Sequence, residues 1–399
     1  MTLYNKEEIK YLVGNRYFTC KIKEPFEESI INFLIFFSQE IEKNKQLRDF
    51  PDLKSLSFFC RRSNLLRLKE KFLKRDNLNR VGVGLVFHIT PSNVPTNFVY
   101  SLIFGLLSGN SNFIKVPSKN YDQINIVCEI LNKLLSKKFK KLKDMIKIVR
   151  YRDNDEFTKY ISSKCDMRIV WGGDNTVNNL RDFKISPKAR EITFPDRYSI
   201  CLINTKNYLK LNEEKKENLA RKFYNDTYVL DQNACSSPHV IFWEGKSIKK
   251  AKEIFWQKLN LIVNLKYNLS DHTSVEKYTK FCEKIMLNDN IKNFKNYNSN
   301  IYTFTLKNLS KNLPDYRGNW GMFYQFDGLK IDKLKRIVNS KFQTCTYFGF
   351  EKKWLKKNII ENKLSGIDRI VPIGQALDIS MIWDGYDLTS SLTRVIELK

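Results

Sequence analysis

From Val81 to Asp174 the chain alternates between short apolar runs and amphipathic runs of helical length, and this alternation restricts its fold more than any other feature. The run Val81-Gly82-Val83-Gly84-Leu85-Val86-Phe87-His88-Ile89 reads as one continuous strand, suited to a sheet covered on both faces. A loop, Thr90-Pro91-Ser92-Asn93-Val94-Pro95, leads into a helix from Thr96 to Leu107, a Gly109-Asn110 turn and a second strand from Asn112 to Pro117. That is a β-α-β unit. The pattern repeats with a helix over Tyr121 to Ser136, a strand over Met145 to Tyr151, a helix over Asp155 to Ser163 and a strand over Met167 to Trp171, before Gly172-Gly173-Asp174 opens another helix. Such alternation implies an α/β fold with a doubly wound, mainly parallel sheet, whose ligands sit beyond the carboxyl ends of the strands. The loops at 90–95 and 172–174 both fall at those ends.

At 399 residues, 42% hydrophobic and 28% charged, the chain has enough apolar material for two domains. Residues 1–80 read as a helical layer; in Phe26 to Glu42, Ile30, Ile31, Phe33, Leu34, Phe37 and Ile41 follow the spacing of one buried helix face. The net charge of +26 raises a nucleic-acid or anionic-surface module as an alternative class. However, the lysines are spread over the whole chain, so compositional drift explains them without a selected binding face. The first residues are charged and carry no signal-peptide pattern, and the longest apolar run, Phe98 to Leu107, is too short to span a bilayer. Eight cysteines without a Cys-x-x-Cys pair, alongside three histidines, read as free thiols in a reducing cytoplasm, with no metal.

One thiol departs from the pattern of a core cysteine. Cys235 lies in Asp231-Gln232-Asn233-Ala234-Cys235-Ser236-Ser237-Pro238-His239, among small and polar residues between a helical run (Asn212 to Tyr224) and an apolar strand (Val240 to Trp243). Polar flanks at an element junction suit a nucleophile, which needs access and nearby donors. Gly172-Gly173 after an apolar strand admits two readings: a plain tight turn, or a side-chain-free approach to a pyrophosphate at a helix start. No three-glycine dinucleotide fingerprint follows any strand, and Gly82-x-Gly84 lies within one.

Taken in order, Pro91-Ser92-Asn93-Val94-Pro95, Lys115-Val116-Pro117-Ser118, Gly172-Gly173 and Cys235, 142 residues after Asn93, resemble the landmarks of the aldehyde dehydrogenase superfamily. His88-Ile89-x-Pro91-x-Asn93-x-Pro95, Leu107-x-Gly109-Asn110, the Asp231–Pro238 segment, Asp368-Arg369-Ile370-Val371-Pro372-Ile373-Gly374 and Trp383-Asp384-Gly385 more closely resemble the acyl-CoA reductases of bacterial luminescence, the LuxC family. The resemblance runs from about residue 80 to the carboxyl terminus. It implies an aldehyde dehydrogenase-like architecture, with a Rossmann-like NADP-binding domain and helical layer in 1–210 and an α/β catalytic domain in 211–365. Residues 366–399 would form a tail segment returning to the cofactor domain or to an oligomer interface.

The same resemblance implies roles for individual residues. Cys235 would take the acyl group from an acyl-CoA thioester, and Asn93 would donate its amide to the developing oxyanion together with the Cys235 backbone N–H. The other reading of Asn93 is a loop residue capping the helix at 96. Lys115 would reach the ribose or phosphate of a nicotinamide cofactor. Ser118 and Lys119 stand where a carboxylate would hold an unphosphorylated ribose, so NADPH is the expected cofactor. Hydrolytic relatives place a glutamate base in a glycine-containing segment. The nearest counterpart, Glu191 in Arg190-Glu191-Ile192-Thr193-Phe194-Pro195, lacks the glycines, which favours thioester reduction over hydrolytic aldehyde oxidation and leaves the role of Glu191 open. His239 could tune the thiol or be a packed or surface histidine. The expected partners are an acyl-transferring ligase and further copies of the chain, not nucleic acid.

Overall fold

The computed structural model describes residues 9–399 apart from 18, 49, 153 and 329–332. The chain forms two compact units, one made of the chain up to Pro195 together with Ser380–Lys399, the other of Asp196–Ile379.

The first unit opens with a strand, β1 (Lys10–Val13), which the helical reading of residues 1–80 missed. Helices α1 (Glu28–Glu42), α2 (Pro51–Phe59) and α3 (Arg62–Arg75) follow, and α1 buries the predicted apolar stripe. The expected continuous strand 81–89 is two strands, β2 (Arg80–Gly82) and β3 (Leu85–Ile89). Gly84, at φ +136°, breaks it; a Cβ there would lie 2.1 Å from Asp166 Oδ2, so only glycine fits the turn. The following elements match the sequence reading to within a residue or two: α4 (Asn97–Leu107), β4 (Ser111–Val116), α5 (Asp122–Ser136), β5 (Ile146–Arg150), α6 (Asp155–Lys164), β6 (Met167–Trp171) and the start of α7 (Asp174–Arg181); β7 (Arg190–Phe194), which the sequence reading did not assign, follows. The sheet order is β1-β5-β4-β3-β6-β7, parallel except for β1, so the winding reverses between β3 and β6. The loops at 90–95 and 172–173 flank that reversal.

In the second unit β8 (Tyr198–Asn204), α8 (Thr205–Leu209), α9 (Glu213–Thr227), β9 (Pro238–Glu244), α10 (Ile248–Lys266), α11 (Asp271–Met286), β10 (Ile291–Tyr297), β11 (Ile301–Leu306), β12 (Met322–Asp327), β13 (Phe342–Phe348) and β14 (Arg369–Pro372) form an α/β layer structure. Its sheet runs β10-β11-β12-β9-β8-β13-β14, antiparallel only at β10/β11. Alternate residues of β8 serve opposite faces: Tyr198, Ile200 and Leu202 pack into one core, Cys201 and Ile203 into the other. Because β8 pairs with β9 and β13, the units divide at Pro195 and not at residue 210. The tail divides too. Residues 369–372 pair within the second unit, whereas β15 (Ile382–Trp383), β16 (Tyr386–Asp387) and β17 (Thr393–Val395) belong to the first, where β17 pairs with β2. Asp384 and Gly385, at φ 51° and 82°, form the two-residue hairpin turn that explains the Trp-Asp-Gly segment. Among the described residues no helix is long and apolar enough to cross a membrane.

A buried polar chain fastens α4 to the first sheet. Trp171 Nε1–H donates to Ser101 Oγ (2.9 Å), the Ser101 hydroxyl to His88 Nδ1 (2.7 Å), and His88 Nε2–H to Asn112 Oδ1 (3.0 Å). Asn112 Nδ2–H then donates to the Asn110 carbonyl (2.7 Å), which settles the direction of the whole chain. Burial pulls the His88 pKa down to about 4, so the ring is neutral at physiological pH, as this pattern requires. A Cβ on Gly105 would lie 1.8 Å from Asn112 Oδ1. Gly105→Ala is therefore expected to lower unfolding free energy by about 2–3 kcal/mol, despite alanine's better helix propensity, because overpacking here also breaks buried hydrogen bonds. Chemical denaturation of the two proteins checks this; equal midpoints would contradict it.

Candidate active site

Cys235 lies at the amino edge of the second unit's sheet, on the loop between the end of α9 and β9. Two consecutive residues of that loop, Asp231 and Gln232, take left-handed backbone conformations (φ 52° and 62°), each costing about 1–2 kcal/mol in a residue with a side chain. Hydrogen bonds hold them there. The Gln232 N–H donates to the Thr227 carbonyl (2.7 Å). Its side chain donates to the Pro238 carbonyl (3.0 Å) and accepts from Gly321 N–H (3.3 Å). The Asp231 carboxylate accepts the Tyr267 hydroxyl (2.5 Å), and its carbonyl accepts Trp320 N–H. Burial first, and then the Asp231 contact, push the Tyr267 pKa up, which keeps its hydroxyl protonated as donor.

Cys235 itself is held through its carbonyl, which accepts the Ser199 hydroxyl at 2.6 Å, while Ser199 Oγ accepts Thr344 N–H from β13. Ser237 donates its hydroxyl to the Asp226 carbonyl (2.7 Å). The thiol is therefore carried on a strained loop fixed from α9, β8, β13 and the 318–321 turn, and it is partly exposed. Other thiols contrast with it: burial pushes the Cys128, Cys165 and Cys201 pKa values up to about 12, and those of Cys60 and Cys345 upward as well. Such buried thiols stay protonated and inert. His239 is a packed histidine and not a surface one. It stacks on Tyr198 (5.3 Å) and pairs through Nδ1 with the Gly318 carbonyl (3.1 Å). Burial, reinforced by Arg317, pulls its pKa down to about 3.

In the first unit, the remaining candidates gather at the carboxyl edge. Asn93 is exposed on the loop after β3. It does not cap α4, whose N-cap residue is Thr96 and which has no side-chain cap, and among the described residues its amide makes no hydrogen bond. Lys115, at the end of β4, pairs in register with Ile89 and lies over the Tyr151 ring, 5.0 Å from its centre. Ser118 and Lys119 are exposed on the following loop, with Lys119 5.2 Å from the Tyr121 ring centre. The Tyr121 hydroxyl donates to the Ser92 carbonyl (2.7 Å), which ties this loop to the one bearing Asn93. Gly172 and Gly173 form the turn into α7; a Cβ on Gly172 would meet the Thr176 side chain at 3.0 Å. Asp174 puts an acidic side chain in the first turn of α7, a poor neighbour for a pyrophosphate there. Lys115, half-buried, and Lys119, exposed, thus give this edge of the sheet a cationic lining, whereas the start of α7 is acidic.

Glu191 stands apart from this edge. It is the second residue of β7, paired in register with Arg168 near the start of β6, toward the amino edge of the sheet. Its carboxylate accepts Arg168 Nε–H at 2.6 Å and Nη2–H as well, with Arg181 3.5 Å away. Arg168 is 2% exposed and gives its remaining Nη1 donor to Ser162 and the Phe183 carbonyl. Glu191 is therefore the counter-ion of a buried guanidinium.

Sequence reasoning missed Ser199 and Asp226. Asp226 carried a readable signal: with Leu219, Ala220 and Phe223 it falls on the apolar phase of α9, where a carboxylate is out of place. Ser199 carried none, being one small polar residue in an apolar strand.

The acyl-CoA reductase (LuxC) family profile matches residues 38–395 of the chain. Two long-chain acyl-protein thioester reductases are related to it. The one from Photorhabdus laumondii subsp. laumondii is 23% identical over 184 residues, 46% of this chain and 36% of that protein. The one from Photorhabdus luminescens is 21% identical over 316 residues, 78% of this chain and 62% of that protein. The chain spans less than two thirds of the length of these curated relatives. Among solved structures, an indole-3-acetaldehyde dehydrogenase from P. syringae in complex with NAD+ and IAA shares the fold, with a TM-score of 0.61 at 10% identity over 92% of this chain and 82% of that one.

The arrangement around Glu191 makes a prediction. Glu191→Gln leaves Arg168 buried without a counter-ion and is expected to destabilise the protein by about 3 kcal/mol, read by denaturant unfolding. An unchanged unfolding midpoint with a selective loss of activity would show instead that Glu191 acts in the chemistry.

Proposed function

Because the chain belongs to the acyl-CoA reductase (LuxC) family, we propose that it reduces a fatty acyl thioester to the aldehyde through an acyl-cysteine on Cys235, with NADPH as hydride donor. The observation that carries this reading is the loop at 231–237, where a strained and heavily hydrogen-bonded backbone presents a partly exposed thiol while five other cysteines lie buried. The thioester arrives on CoA or, as the names of the two Photorhabdus relatives suggest, on a carrier protein. An acyl-transferring ligase is the expected supplier.

In the first step the Cys235 thiolate attacks the thioester carbonyl, forming a new C–S bond. Collapse of the tetrahedral oxyanion then expels the carrier thiolate, which takes up a proton. Asn93, with its uncommitted amide, is the side chain we assign to that oxyanion, a role worth about 10²–10³ in rate for one donor. A nicotinamide cofactor, when bound, would supply the hydride that reduces the acyl-cysteine carbonyl. The oxyanion of the resulting thiohemiacetal then collapses to the aldehyde as the C–S bond breaks, and Cys235 leaves as thiolate. Hydrolysis of the acyl-cysteine would need a placed base, and the engagement of Glu191 with Arg168 removes the residue that stood nearest to that role. Lys115, Ser118 and Lys119 would hold the phosphorylated ribose by charge-assisted hydrogen bonds, with Gly172 and Gly173 lining the approach.

Cys235→Ala is expected to abolish both aldehyde formation and covalent acyl labelling without loss of folded structure, because the residue sits on a loop and not in the core. Label that survives this change and disappears only with another cysteine would refute the assignment. Ser118→Glu should weaken NADPH more than NADH by about 1–3 kcal/mol, measured as binding of the two cofactors by calorimetry; equal losses would show that this loop does not meet the ribose phosphate.

A further inference from the structure

The two most specific stretches of the sequence, the cysteine segment and the tail segment ending at Gly374, are joined by a residue that belongs to neither. Asp226, in the last turn of α9, is 1% exposed. Its two carboxylate oxygens accept main-chain N–H groups of the tail, Oδ2 from Gly374 at 2.6 Å and Oδ1 from Ala376 at 2.9 Å. Its own carbonyl accepts the Ser237 hydroxyl at 2.7 Å, and the carbonyl of the next residue, Thr227, accepts the Gln232 N–H at 2.7 Å. One helical turn thus holds the tail by its side chain and the cysteine loop, on both sides of Cys235, by its main chain. Gly374 completes the fit: at φ +98°, with Lys222 carbons 2.8 Å from where its Cβ would be, only glycine lets the tail approach α9 this closely.

Packing does not account for this carboxylate. An apolar residue in the same helical phase would fill the space without the desolvation cost of a buried acid. We propose that Asp226 is a positioning residue for the nucleophile: by clamping the Gly374–Ala376 turn onto α9 it fixes the frame from which Ser237 and Gln232 hold the Cys235 loop. This rests on the reading of Cys235 as nucleophile.

The charged and titratable groups that act on Asp226 are Arg369 and Asp378 from the tail and the Cys201 thiol on β8, while Lys222, one turn earlier on α9, packs its stem against Gly374. Burial, foremost, pushes its pKa up from 3.8 to about 7; the Gly374 and Ala376 N–H groups oppose this, Asp378 adds to it and Arg369 counters. The folded value lies above the unfolded one, so protonation favours the fold at low pH, and that contribution is lost as pH rises from about 4 through about 7. The clamp runs the other way. Two N–H donors bind the ionised carboxylate best, so the hold on the loop weakens as pH falls below about 7.

The test is single-turnover transfer of the acyl group from radiolabelled palmitoyl-CoA to the full-length protein, in wild type, Asp226→Asn, Ser237→Ala, the double variant and Cys235→Ala. Each single change at 226 or 237 is expected to slow acylation about tenfold or more, with half-saturation by palmitoyl-CoA within about twofold of wild type, since loop placement and not substrate binding is altered. The double variant should be little worse than the poorer single, and the acid limb near pH 7, present in wild type and in Ser237→Ala, should be missing in Asp226→Asn. Wild-type acylation rates in folded Asp226→Asn or in Ser237→Ala overturn the proposal. If Asp226→Asn does not fold, Ser237→Ala decides alone by the same criterion. Label retained in Cys235→Ala would remove the nucleophile reading itself, whereas label lost there but undiminished at 226 and 237 removes only the clamp.

Discussion

Parallel strand pairing is the constraint on which the rest of the first unit depends. A parallel strand cannot be followed directly by its neighbour, so each connection crosses the sheet and the two sheet edges become chemically distinct. Asn93, Ser118 and Gly172 come from loops that leave strands and Lys115 from the end of β4, so all four collect at the carboxyl edge, although 79 residues separate the first from the last. Glu191 lies only two residues into β7, so the same rule places it toward the opposite edge. There the proximity of a buried arginine decides what it does.

Around Cys235 the governing physics is polar saturation, not apolar burial. Two left-handed residues in succession persist because their own side chains are engaged elsewhere, Asp231 with Tyr267 and Gln232 with Pro238 and Gly321, while Ser237 is tied to Asp226. A thiol so carried can be both accessible and placed, which a core cysteine cannot. The same economy explains His239. Packed against Tyr198 and tied to Gly318, it braces the strand that follows the thiol and, being neutral down to about pH 3, adds no charge there.

Several lysines of the second unit have local structural roles. Lys277, buried on α11, donates to the Ser299 and Asn300 carbonyls at 2.8 Å and lies over the Tyr302 ring, and burial pulls its pKa down to about 7. Lys252 pairs with Asp327, and Lys295 with Glu253.

What the sequence by itself determined is what depends on neighbours within a few residues. The alternation of periods located β3 to β6 and α4 to α7, the Gly109-Asn110 pair marked a turn, and polar flanks distinguished Cys235 from the core thiols. Tertiary structure alone decided the interactions whose partners lie far apart along the chain. Whether Val81–Ile89 is one strand or two depends on Asp166 crowding Gly84, and the place of β8 in the second sheet depends on β13, more than a hundred residues later. The role of Glu191 depends on Arg168, and that of Asp226 on Gly374, 148 residues away. A local pattern encodes period, turn chemistry and burial. It cannot say which buried polar group will meet which, because a buried donor or acceptor is satisfied by whatever the topology brings beside it.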